Sequence, residues 1–131
     1  MANITKNFLG NELRMTGTPD GNAITNLYSL TTNSSGAVVD SNVATGIASG
    51  DVVRMGILPA GMRLDDAKTI VSTGMTATIT GKLGFAYVDG VDSTDVPQDN
   101  DYFGAGITVA TAGRYAASNT GVRPVVLPKD A

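Results

Sequence analysis

Hydrophobic and polar positions alternate most tellingly in two stretches. In the first, Gly50 to Leu64 (GDVVRMGILPAGMRL), Val53, Met55 and Ile57 fall on one side of an extended chain and Arg54 and Gly56 on the other. Leu58-Pro59-Ala60-Gly61 interrupts the run with a fixed proline φ and a glycine free to take φ > 0. Met62 and Leu64 then resume around Arg63, so the stretch predicts strand, LPAG turn, strand. In the second, Met75, Ala77 and Ile79 alternate with Thr76, Thr78 and Thr80, which predicts another strand. Gly81-Lys82 reads as the turn after it. Leu83, Phe85 and Tyr87 then alternate with Gly84, Ala86 and Val88, predicting a strand whose heavy face lies in the core, closed by an Asp89-Gly90 turn.

Elsewhere the pattern is weaker. Residues Met1 to Asp20 are polar with isolated anchors at Ile4, Phe8, Leu9, Leu13 and Met15. Gly10 and Gly17 disfavour a helix there, so an extended arm able to dock on a neighbour is expected, with an ordinary frayed terminus as the alternative. Thr18 to Asn22 is a Pro-Asp-Gly turn, Ile24 to Leu30 a short strand, Thr31 to Gly36 a loop, and Val38 to Ile47 weak or irregular. Asp65-Asp66-Ala67 reads as a solvated corner, and Lys68 to Thr73 as a β-branched strand. A loop from Val91 to Asp101 precedes Tyr102-Phe103, and Ile107 and Val109 form a short strand. Arg114 to Ala116 and Val122 to Leu127 are each candidate last strands, the latter an edge because of Pro124 and Pro128. Short strands separated by Gly, Pro and Asp turns predict an all-β fold: a small antiparallel sandwich or barrel-like domain over residues 36–131, preceded by an N-terminal arm and irregular segment over 1–35.

Composition narrows this picture. The chain has 131 residues, enough for one core, yet only 4 Tyr and 3 Phe with no Trp to fill it, against 16 Gly. A thin core of this kind gains stability from partners, which hints at an assembly subunit. The net charge of −3 and nine scattered Lys and Arg provide no basic face for nucleic acid. No apolar run is long enough to span a membrane, and the first residues lack the apolar core of a signal peptide, so a soluble compartment is expected.

The candidate chemistry is sparse. With no Cys and no His, thiolate chemistry, disulfides and the commonest general base and metal ligand are unavailable. The acidic loop from Asp89 to Asp101 has the carboxylates a hard cation such as Ca²⁺ takes, but not the offsets of an EF-hand; a solvent-exposed acidic turn region is the simpler account. Paired carboxylates for glycoside hydrolysis are conceivable, but Glu12 is the only Glu, and most Asp sit in turns where they bond nearby backbone. No G-x-S-x-G occurs. The expectation is a protein that is not an enzyme, with no cofactor, metal or small-molecule substrate.

The GDVVRMGILPAGMRL, LGFAYVDG and VPQDNDYFGAG stretches, followed by AGRY and the VRPVVLPKDA close, together resemble the head decoration (cement or auxiliary capsid) proteins of tailed bacteriophages. The resemblance runs from Gly50 to the C-terminus, and residues 1–49 add little to it. It implies a β-rich homotrimer made in the bacterial host cytoplasm and carried on the virion. There it would bind the major capsid protein on the outer capsid surface and tie neighbouring subunits together. Ile4, Phe8, Leu9 and Leu13 on the arm, with Tyr102 and Phe103, are the candidate capsid or oligomer contacts. The alternatives are a tail-associated structural subunit or a glycan-binding surface adhesin, the latter using Tyr102, Phe103 and Tyr115 as exposed aromatics.

Overall fold

Where β-branched and aromatic residues alternate with small or polar ones, the chain extends and pairs. A computed structural model of the protein describes residues 1–6, 27–75, 78–117 and 124–131. Among these residues there are strands and no helix, so the fold class is all-β. The chain divides into two compact units, Met1–Ile57 and Leu58–Ala131.

In the first unit, β1 (Asn3–Thr5) and β2 (Val52–Arg54) pair in parallel, Ile4 opposite Val53. Ile4 is buried there with Ala37 and Val38. The flanking chain is fixed by polar bonds: the Asp51 carboxylate accepts from the backbone N–H groups of Ala2 at 2.7 Å and Ala48 at 2.9 Å. Those bonds, Ala2's first, hold the Asp51 carboxyl below its ordinary pKa. The Thr5 N–H donates to the Asn42 side chain at 2.8 Å, and Lys6 Nζ to the Ser29 carbonyl at 2.8 Å. Tyr28 lies across Gly56, where an added Cβ would fall 2.0 Å from its ring, and its hydroxyl donates to the Ile57 carbonyl at 3.1 Å. The expected loop at Thr31 to Gly36 is a tight turn, with Gly36 at φ 76° and Asn33 donating to the Ala37 carbonyl.

The second unit has three antiparallel ribbons. They are β3 (Arg63–Leu64) with β8 (Val125–Val126), β4 (Lys68–Val71) with β7 (Gly113–Ala116), and β5 (Thr80–Phe85) with β6 (Asp99–Thr108). Each described sheet has two strands, and the second edge of β1 is covered by Asn42, whose backbone N–H donates to the Thr5 carbonyl at 3.1 Å. Side-chain packing, not a continuous ladder, joins β3·β8 to β5·β6. Leu64, Phe85, Tyr87, Tyr102, Leu127 and Ala131 form one buried cluster, flanked by Leu58, Met62, Val96, Phe103 and Val125. Phe85 meets Tyr87 and Tyr102 edge-on, at centroid distances of 5.8 and 5.3 Å, the geometry that aromatic quadrupoles favour. The expected heavy face of Leu83, Phe85 and Tyr87 is therefore in place, with Phe85 and Tyr87 buried and Leu83 half-buried.

Five local expectations are corrected. Gly50 to Leu64 is not a hairpin. The LPAG turn forms, with Gly61 at φ 81° and the Met62 N–H donating to the Pro59 carbonyl at 3.3 Å. Its flanks, however, pair elsewhere: Val52–Arg54 with β1, and Arg63–Leu64 with β8. The C-terminal residues outcompete a hairpin partner. Leu58 and Ala131 exchange both backbone bonds, Gly61 donates to Leu127, and Leu127 donates to Met62.

The Met75 to Thr80 run is not a strand through its length: Thr78 takes φ 72° in a turn, incompatible with extended backbone, and residues 76–77 lie outside the described residues. Gly81-Lys82 lies inside β5 instead of forming a turn, because Gly81 pairs with Ile107. Ile107 belongs to a single ten-residue strand that begins at Asp99. That strand is bulged: Gly81 to Leu83 faces Ile107 to Gly104, and Leu83 to Phe85 faces Gly104 to Asp99. Gly84 fits the bulge only because it lacks a side chain, since a Cβ would sit 2.1 Å from the Asp99 carbonyl oxygen. The expected strand at Ile24 to Leu30 leaves only residues 27–30 described, and these are not strand. The parallel pairing of β1 with β2, across the whole first unit, had no antecedent in the pattern.

Candidate functional site

The residues singled out from sequence fall in three kinds of place. Ile4 is 1% exposed, inside the first unit, and residues 2–6 are bonded into that unit through β1 and the Asn42 and Asp51 side chains. Phe8, Leu9 and Leu13, with the rest of the expected arm to Asp20, lie outside the described residues. Tyr102 is 6% exposed in the aromatic cluster, its hydroxyl donating to the Leu64 carbonyl at 3.4 Å, and burial pushes its phenol pKa up. Phe103 is half-buried and packs edge-on against Tyr102 at 4.8 Å. Tyr115, also half-buried, donates its hydroxyl to the Thr111 carbonyl at 2.8 Å. The structure thus brings Tyr102 and Phe103 together as core packing of the second unit, while Ile4 is packed within the first.

The acidic loop folds on its own carboxylates. Asp92 Oδ1 accepts from the Ser93 N–H at 2.8 Å and the Gln98 N–H at 2.7 Å. Asp99 accepts from the Asp101 N–H, and Asp101 pairs with Lys82 at 3.3 Å. Asp89 is held by Lys129, whose Nζ lies 2.8 and 3.0 Å from its two oxygens, also donates to the Val91 carbonyl, and sits 4.6 Å from the Tyr87 ring centroid. The Lys129 ammonium, then the Val91 N–H, hold the Asp89 carboxyl below the ordinary range. Hydrogen bonding shared with the Asp99 side chain, then the bond from Lys82, does the same for Asp101. Among the described residues no three carboxylates converge as a cation cage, and no buried side-chain polar atom lacks a partner.

A glycosidase acid needs a raised pKa beside an ionised partner. Among the described residues, the carboxylates that depart clearly from their ordinary value, Asp51, Asp89 and Asp101, all move the other way. What the arrangement offers a partner is surface. Leu27, Val52, Ile70, Val88, Val91 and Val126 are each about half exposed or more, and Val52, Ile70 and Val126 of these lie on two-stranded ribbons.

The Lys129 knot escaped sequence reasoning, since its partners lie some 40 positions apart. The seating of Leu127, 1% exposed, left a fainter trace in the alternation of Val125 and Leu127 around Val126. No family model matches the chain, nor does any curated protein or solved structure with which it was compared.

Proposed function

We propose that this protein is a non-enzymatic structural component of a tailed-bacteriophage virion. In this reading it binds the major capsid protein on the outside of the head as a homotrimer and cements neighbouring capsid subunits. The single observation that carries the reading is the set of small two-stranded β-ribbons that leave Val52, Ile70 and Val126 about half exposed or more. Such a surface adheres through backbone bonds and modest apolar contacts and has no need of a reactive group. The resemblance of residues 50–131 to decoration proteins supports the proposed location. Many copies on a symmetric shell turn individually weak contacts into firm attachment. In the finer architecture we propose, the ribbons of the second unit belong to a small antiparallel sandwich or barrel-like domain.

The test is to separate purified heads and tails of the phage that encodes the chain and quantify the protein in each. The expected result is its recovery with heads, in fixed proportion to the major capsid protein, and heads stripped of it that rupture at lower temperature. Recovery with tails alone selects the tail-subunit alternative, and absence from both fractions rejects a virion role.

A further inference from the structure

The β4·β7 ribbon differs from the other two ribbons of its unit in having no buried residue on either strand. Two-stranded ribbons are marginal in water without a packed face. Its register places Lys68 opposite Ala116 and Ile70 opposite Arg114. These four exposed side chains form one tile, the cations on one diagonal and the apolar groups on the other, roughly 7–8 Å apart. Ile70 is 59% exposed, and neither Lys68 nor Arg114 has an ion-pair partner among the described residues.

The Val91 to Asp95 segment carries the complementary set. Val91 is 62% exposed, and Asp92 and Asp95 are exposed with no ion-pair partner among the described residues, whereas Asp89 and Asp101 are taken by Lys129 and Lys82. We propose that the Lys68–Ile70–Arg114–Ala116 face of one copy docks head to tail on the Val91–Asp95 segment of a second copy of this chain. An isolated strand with charges outward can also be a guard against edge aggregation. The matching of two cations and an aliphatic on one surface to two carboxylates and an aliphatic on another, none of these charges in an ion pair among the described residues, favours docking, since opposite patches set register as well as attraction. The contact is heterologous, so successive copies close into a ring or extend into a chain. It does not depend on the virion reading, because it is made in solution by the protein alone.

Sedimentation of the full chain at low and high salt tests it. The expected result is a self-associated species at low salt that dissociates as salt screens the pairs. Lys68→Glu/Arg114→Glu, and separately Thr94→Lys/Asp95→Lys, each lose that species. The second pair spares Asp92, whose carboxylate holds the loop. An equimolar mixture of the two variants associates again, the two alternating, because the acidic ribbon of one now faces the basic loop of the other. That rescue also shows both variants to be folded. A wild-type chain that stays monomeric at low salt, charge reversals that leave association unchanged, or a mixture that stays dissociated each overturns the proposal.

Discussion

The β5·β6 and β4·β7 ribbons are both antiparallel, two-stranded and in the same unit, yet they stand at opposite ends of burial. The first places Phe85, Tyr102, Gly104 and Ile107 in the interior, while the second buries nothing. The difference arises from side-chain size at the inward positions. Aromatic rings remove the largest areas from water and pack edge-on with each other, and β5·β6 has two of them facing each other. The β4·β7 ribbon turns Thr69, Val71, Gly113 and Tyr115 to its more covered face, and its one aromatic hydroxyl is satisfied within the ribbon's own approach, at Thr111. The lesson is that pairing alone does not make a core. A ribbon is anchored by what its face covers.

Four substitutions probe the contrast. Phe85→Ala removes the ring at the centre of the cluster and is expected to cost about 3–5 kcal/mol, read from denaturant unfolding. A cost below about 1 kcal/mol would mean that the cluster does not anchor β5·β6. Gly84→Ala drives a methyl against the backbone of Asp99 and Asn100, and is expected to cost about 1–3 kcal/mol. An unchanged midpoint would show that the bulge relaxes freely. Asp89→Asn tests the tie that closes the loop between β5 and β6. Because the folded-state pKa of Asp89 lies below the ordinary 3.8, the carboxylate's contribution is complete above that value and fades as pH falls through the folded pKa. The stability gap between wild type and Asp89→Asn should therefore be constant near neutrality and shrink in acid. A gap independent of pH would detach the Lys129 contact from stability. Ile70→Ala, on the open face of β4·β7, is expected to change unfolding by no more than about 0.5 kcal/mol. A core-sized loss there would erase the distinction between the ribbons.

Much of the second unit was legible from its pattern, and the reasons are local. Leu83, Phe85 and Tyr87 alternate with smaller residues, and Asp89-Gly90 ends the run with Gly90 at φ 73°. Lys68 to Val71 and Arg114 to Ala116 were legible as strands because β-branched and aromatic residues suit pleated chain. The candidate contacts were less so. Tyr102 looks the same in sequence whether it meets a partner or its own core, and only the bulged register of β6 turns it inward. The Thr-rich run at Met75 to Thr80 shows the reverse error, where clean alternation meets a left-handed Thr78 that no period-2 count detects.

By itself, then, the order of residues determined several strand-forming segments, such as Lys68 to Val71 and Arg114 to Ala116, with the LPAG and Asp-Gly turns, the scarcity of aromatics and the lack of histidine and cysteine. These follow from single-residue φ preferences, side-chain size and elementary chemistry. Only the tertiary structure decided which strand meets which: that Val53 lies beside Ile4, that Arg63 and Leu64 meet Val126 and Val125 instead of their near neighbours, and that Lys129 closes on Asp89. Each of these pairings spans tens of residues. A local pattern fixes which face of a strand is apolar but not its partner, and the choice among partners falls to whichever arrangement buries the rings and satisfies the backbone together.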